Sequence, residues 1–340
     1  MNGRGTKMED FQFLHPETSR LFQELSNLDH SSLSDNAERV QIKEALGAAL
    51  SRLETPWETV LRIVFTQAAQ FLSCTLLSSL PNPKITLGRY DNTLPGFANL
   101  PTFLQSTQHV NPTDATSTNW HHMRGLSRFD ELKQRPADMA IFQAVMTAYA
   151  TSKTPWTDIF PTMQLLDVRR LDVPLLVDVG GGAGHDIERL RKRLVHTEPG
   201  ALVLQDLRPV IERAAVHKSV RAMVHDFFEE QPIKGATAYY LHTVLHDWPD
   251  ARAVAILSHI AAAAEPNYSR ILIHETVVTD IPSAPDTTSD LQMMMALSSF
   301  ERTESAWRDI LAVTGLDVVK IWRAPGSAES IIEAIRREGS

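Results

Sequence analysis

The stretch Leu175-Leu176-Val177-Asp178-Val179-Gly180-Gly181-Gly182-Ala183-Gly184-His185-Asp186 leaves little freedom to the fold around it. A short apolar, β-branched run closed by a glycine cluster predicts a strand and a tight turn. Ile187, Leu190 and Leu194, at helical spacing, predict the helix that follows. Gly180, Gly182 and Gly184 allow positive φ and close backbone approach, while the helix start offers unpaired N–H groups and the positive end of its dipole. Such a turn suits a nucleotide-like ligand that is anionic at one end. The competing reading is a tight strand-to-helix turn that holds nothing.

Spacing narrows the ligand. A dinucleotide fingerprint wants G-x-G-x-x-G, but counting from Gly180 puts His185 at the third glycine, and counting from Gly182 puts Ile187 there. What stands instead is G-x-G-x-G preceded by Asp178, which resembles the first motif of S-adenosylmethionine (SAM) dependent methyltransferases. A second strand, Ala201-Leu202-Val203-Leu204-Gln205-Asp206, ends in an acid at the distance where nucleotide-binding folds hydrogen-bond the ribose hydroxyls.

With 340 residues the chain is long enough for two domains with cores of their own. It holds one cysteine, Cys74, so neither an intrachain disulfide nor a cysteine zinc site can form, which suits a reducing, cytoplasmic setting. A formal net charge of −8 argues against a nucleic-acid partner. Arg189, Arg191, Lys192 and Arg193 do cluster, but opposite the apolar face of their own helix, as a solvated surface would. No apolar run approaches the length of a membrane span, and the N-terminus lacks the apolar core of a signal peptide.

Residues 1–160 are expected to form a mainly helical N-terminal domain and 161–340 a doubly wound α/β domain with a Rossmann-like, mostly parallel sheet. Strands are expected at Leu175 to Val179, Ala201 to Gln205, Ala222 to His225, Ala236 to Leu241, Arg270 to Glu275 and Leu316 to Ile321. Between Phe71 and Gly96 the prolines and the loss of period predict a loop or a damaged subdomain. Met139, Phe142, Met146 and Tyr149 share one helical face, which reads as core packing or as the wall of an aromatic-substrate pocket.

Past the glycine turn come His225-Asp226-Phe227-Phe228, then His242-Thr243-Val244-Leu245-His246-Asp247-Trp248-Pro249-Asp250, then Ile273-His274-Glu275 and Phe300-Glu301-Arg302-Thr303. Each lies at a strand end or opens a helix, so they can converge on one cleft. Together with Val177 to Gly184, in this order and at these separations, they resemble the plant caffeate-type and fungal polyketide O-methyltransferases over about residues 95 to 340. The resemblance implies that Gly180 and Gly182 back the methionine part of SAM, that Asp206 holds the ribose, and that Asp226, Phe227 and Trp248 surround the adenine. It implies His246 as general base with Glu275 and Glu301 flanking the imidazole. A phenol ionises near pH 10, so an imidazole that takes the proton as the oxygen attacks the methyl carbon is what the chemistry needs.

Met146, Tyr149, Met293 and Met294 are candidates for the acceptor pocket, against the alternative that Leu291 to Leu297 is a core helix. His246, Asp247 and Asp250 can also be read as caps of the helix after Pro249, and Glu275 and Glu301 as a strand-end and a first-turn acid. His242 and His246 stand four apart, but without H-E-x-x-H, and no metal is expected. Two departures from the family stand out: about twenty poorly patterned residues replace a winged-helix segment, and Ser298-Ser299-Phe300 replaces the usual glycine-lysine before Glu-Arg-Thr. In the family that segment supports dimerisation, so the expected partner is a second copy or a longer methyltransferase. Three readings remain open: an O-methyltransferase acting on a small aromatic or polyketide-like molecule, a SAM-binding relative that catalyses a cyclisation or rearrangement, and an inactive partner subunit.

Overall fold

The computed structural model describes residues 83–338 apart from 115, 195–197, 280–281, 283 and 325–328, together with scattered positions from 38 to 52. The expected α/β architecture is present. An open sheet runs in the order β3-β2-β1-β4-β5-β8-β7, with β6 paired in parallel to the last two residues of β5. Its strands are β1 Leu176–Val179, β2 Leu202–Asp206, β3 Val220–Val224, β4 Ala238–His242, β5 Arg270–Val278, β6 Arg302–Thr303, β7 Leu316–Arg323 and β8 Glu329–Arg336. The first five pair in parallel, while β8 runs antiparallel to both β5 and β7. All four residues of β1 are buried, as an apolar strand covered on both faces requires. Strand order reverses between β1 and β4, and a crevice at the carboxyl ends of those two strands is where doubly wound sheets bind ligands.

Two cores clothe the sheet. On one face Val177, Tyr239, Leu241 and Ile273 pack with Ile256, Leu257 and Ile260 of α9 (Asp250–Ala263) and with Trp307 and Leu311 of α11 (Glu304–Val313). On the other, Leu176, Leu204, Tyr240, Leu272 and Ile331 pack with Trp156 and Ile159 of α5 (Trp156–Ile159) and with Ile187 and Leu190 of α7 (His185–Arg193). Before the sheet come α1 (Pro83–Ser106), α2 (Asn119–Arg124), α3 (Arg128–Gln134) and α4 (Pro136–Ser152); α6 (Gln164–Asp167) and α8 (Arg208–Ile211) are single turns. Thr118 and Ser127 cap α2 and α3 by accepting the His121 and Asp130 N–H groups. The long helix α10 (Ala284–Leu297) leaves the sheet and packs against α1 and α2, so the cleft is walled by both halves of the chain.

Two expectations need correction. Residues 83–96, expected as loop, are the first half of α1, which runs through Pro95 and Pro101. Tertiary packing overrides the helix-breaking residues: a Cβ on Gly96 would lie 2.1 Å from Met295 Sδ of α10, so any larger residue there has to displace the Met295 side chain. Asn119 fastens it by donating to the Gly96 carbonyl at 2.7 Å. The terminal strand β8 was not expected, because Glu329 and Glu333 break its apolar run; both are nonetheless buried. Residues 71–82 lie outside the described residues.

Candidate active site

The turn after β1 is built as its sequence implies. Gly180, Gly182 and Gly184 hold φ of 70°, 60° and 83°, in the left-handed region that favours glycine. The Gly180 and Gly181 N–H groups donate to the Gln205 carbonyl at 2.8 and 3.2 Å, tying the turn to β2. Gly181 needs to be glycine for another reason: its Cβ would fall 2.4 Å from the Asp178 carboxyl carbon. Asp178 lies buried beneath the turn, and burial, reinforced by the charge of Asp186, pushes it well above the usual carboxylate range against a smaller pull from the Ile187 N–H. Asp206 accepts from the Gly182 and Leu207 N–H groups at 2.9 and 2.7 Å, which fixes its carboxylate at the mouth of the turn.

An aromatic cluster stands across the crevice. Phe227 meets Trp248 edge-on at 6.1 Å, and Phe228 meets the same indole at 4.7 Å. Arg252 lies over the Phe228 ring at 3.6 Å. Asp226 is exposed beside them, its carboxylate accepting from the Phe228 N–H at 3.0 Å.

His246 sits on a short 3₁₀ turn, Leu245–Asp247, between β4 and α9. The helix begins only at Asp250, with Pro249 at its cap position, so His246 and Asp247 do not cap it. The turn is clamped from both sides. Glu275 Oε1 accepts the N–H groups of Val244, Leu245 and His246 at 3.0, 2.9 and 3.3 Å. Arg302, fully buried, donates to the carbonyls of Leu245 and Trp248 at 3.0 and 2.7 Å and to Asp250 at 2.9 Å. Sequence reasoning quoted Arg302 within its motif and gave it no role; a lone arginine between an acid and a helix cap was the available signal.

The His246 Nδ1 lies 3.2 Å from Glu301 Oε1, which also accepts the Ser289 hydroxyl at 2.6 Å. Glu275 is farther from that nitrogen, at 3.8 Å, so it serves the backbone more closely than the ring. On the other side Nε2 lies 3.4 Å from Asp247. Burial alone would lower the imidazole, but the charges of Glu275, Asp247 and Glu301 overcome it and hold His246 up at about 10. Burial raises Asp247 to about 6 against the pull of His246.

A second polar group occupies the opposite face of the sheet. His242 bonds Asp186 through Nδ1 at 2.5 Å and Glu329 through Nε2 at 3.3 Å, and Lys153 pairs with the same glutamate. Burial works against the charge on His242, but these two carboxylates raise it to about 9; burial together with the neighbouring His242 charge drives His274 down to about 3. His242, His274 and Glu329 offer three potential metal ligands. Their imidazoles stack nearly parallel, 4.0 Å apart and 19° between planes, so the lone pairs run side by side instead of converging on one ion.

Of the residues expected to line an acceptor pocket, Met293 is buried and Met294 half-buried on α10. Met146 of α4 is 42% exposed, and the side chain of Tyr149 lies outside the described residues.

A family model for the O-methyltransferase domain matches residues 105–317. The chain belongs to the O-methyltransferase family. It is 33% identical to O-methyltransferase mfmE of Annulohypoxylon moriforme over 92% of this chain and 94% of that one. Several other members are longer, and the chain matches 60–64% of their length. Among solved structures it is similar to one described as a pericyclic reaction enzyme, with TM-score 0.79 and 25% identity over 95% of this chain and all of the other. It is also similar to OxaC in complex with SAH and oxaline, with TM-score 0.65 and 26% identity over 75% and 67% of the two chains. As a member of this family the protein is a SAM-dependent O-methyltransferase of secondary metabolism. The groups present fit SAM in kind: a Cβ at Gly182 would meet nothing within 4 Å, the Asp206 carboxylate is held by two N–H groups, and Phe227 and Trp248 form an aromatic pair.

Proposed function

We propose that the protein methylates a hydroxyl of an aromatic or polyketide-like metabolite, with His246 as the general base. The observation that carries this is the clamped turn: Glu275 and Arg302 fix the turn that bears His246 while Glu301 orients the ring through Nδ1, so that Nε2, 3.4 Å from Asp247, is the nitrogen that takes the acceptor proton. Held up at about 10, His246 carries its proton near neutral pH and must lose it before it can act as a base; SAM, when bound, supplies an electrophilic methyl on a sulfonium whose positive charge would lower the imidazole toward that form. Glu301 and Glu275 then stabilise the imidazolium formed when His246 accepts the phenolic proton, as carboxylates do in other His–acid pairs. Gly180 and Gly182 back the methionine portion, Asp206 holds the ribose, Asp226 takes the adenine edge, and Phe227 and Trp248 its faces. Met293 and Met294, together with Met146 and Tyr149, are the residues assigned to acceptor binding. Residues 1–160 act as the helical dimerisation and lid domain and 161–340 as the methyltransferase domain, in a cytoplasmic homodimer.

The test is transfer from methyl-labelled SAM to a panel of hydroxylated aromatics. Wild-type protein labels at least one, and His246→Ala loses about 10²–10⁴-fold in rate with SAM affinity kept. Full transfer by His246→Ala would remove the base assignment. A second reading, SAM-assisted rearrangement without transfer, draws on the end-to-end match to the pericyclic reaction enzyme, whose length this chain shares. Under it, a substrate changes skeleton in the presence of SAM and no label moves.

A further inference from the structure

Between α3, the His246 turn and the C-terminal end of α10 lies a cavity of about 210 Å³. Phe129, Trp248 and Leu297 give it an apolar wall, and Asp247, the neighbour of His246, lines it as well. The charged groups around it are unequally committed. Lys133 and Asp130 pair with each other at 2.9 Å, and Asp247 faces the His246 ring. Arg128, also in the wall, makes no hydrogen bond or ion pair with any described residue. Its guanidinium lies over the Trp120 ring, 4.4 Å from the centroid.

That platform is rigid. Trp120 is buried, and its indole N–H donates to Glu131 Oε2 at 2.7 Å. The carboxylates that might satisfy Arg128 are engaged elsewhere: Glu131 Oε1 and Asp138 lie 3.2 and 3.6 Å from Arg135. A guanidinium carries five N–H donors in a planar fork; none of those on Arg128 is buried without a partner among the described residues, so they are accessible to a planar, bidentate acceptor. A carboxylate matches that fork. Asp247 and Asp130 in the same cavity oppose a dianion such as phosphate.

We propose that this cavity is an acceptor subsite in which Arg128 receives the carboxylate of an aromatic hydroxy acid whose ring rests on Trp248 and Phe129. The proposal rests on the methyl-transfer reading for its place beside His246, but binding tests it separately. With SAH saturating the full-length protein, calorimetry compares 2,4-dihydroxybenzoate and 3-hydroxy-2-naphthoate with their methyl esters, in wild type, Arg128→Gln and Arg128→Lys. In wild type the acids bind roughly tenfold to hundredfold tighter than the esters. Arg128→Gln abolishes that preference while ester and SAH affinities stay unchanged, and Arg128→Lys retains part of it. Equal affinity for acid and ester, no binding of either, or an acid preference that survives in Arg128→Gln overturns the assignment. If the preference holds but labelled SAM transfers to neither compound nor to any other phenol, the subsite stands and the methyl-transfer reading falls.

Discussion

Replacing Arg302 by methionine tests how the catalytic turn is held. The side chain is fully buried and its guanidinium makes four contacts: two to Asp250, one to the Leu245 carbonyl and one to the Trp248 carbonyl. The losses are unequal. Asp250 is 54% exposed and regains water, so its share is small. The Trp248 carbonyl keeps the Ser299 hydroxyl at 2.8 Å. The Leu245 carbonyl likewise keeps the Trp248 N–H at 3.2 Å, so the loss is that of two hydrogen bonds, about 1–3 kcal/mol together. Methionine fills most of the space between Phe300 and Trp307, which the guanidinium now occupies at 4.8 and 5.2 Å from their rings, and adds about 1 kcal/mol of imperfect packing. The sum, about 2–4 kcal/mol, lowers Tm by roughly 4–8 °C at about 2 °C per kcal/mol for a chain of this size. Function suffers further, because a turn displaced by an ångström costs on the order of 10²-fold in rate. Calorimetric melting and labelled-methyl transfer read the two effects separately. A variant with Tm within about 1 °C of wild type and unchanged turnover would refute the clamp.

Two further outcomes follow from the geometry. Gly181→Ala drives a Cβ into the Asp178 carboxyl group and should cost more than about 2 kcal/mol together with most SAM affinity, whereas Gly182→Ala meets open space and pays only about 1–2 kcal/mol for its positive φ; urea titration and calorimetry rank them, and the reverse ranking would sink the argument. His242 is raised to about 9 from about 6.5 in an unfolded chain, so its contribution is complete below about pH 6.5 and disappears as pH rises through about 9. Urea stability should fall across that window by at most about 3 kcal/mol, and more shallowly in His242→Gln; identical slopes in the two proteins would show that the ion pair with Asp186 and Glu329 does not stabilise the fold.

Much of the site was legible because it rests on residues whose chemistry is local. Three glycines with positive φ, an acid at the end of β2, and a histidine four residues past a strand each announce themselves without knowledge of the rest of the chain. Glu275 was legible as a member of the site but not in its manner of acting. Whether a carboxylate touches an imidazole or three backbone N–H groups depends on the path of a loop some thirty residues away. The helix through Pro95 and Gly96 was illegible for a related reason: local propensity argues against it, and the partner that favours it, Met295, comes from the other half of the chain.

The amino-acid sequence alone determined the strand-turn-helix at its centre, the parallel sheet around it and the family to which the chain belongs, because periodicity, glycine and turn chemistry act over a few residues. Tertiary structure alone decided that Arg302 and Glu275 grip one turn from opposite sides, that α10 crosses the N-terminal helices, and that Arg128 lies over a buried indole without an ion-pair partner among the described residues. Those outcomes depend on which distant groups exclude water from one another, a property no short stretch of chain encodes.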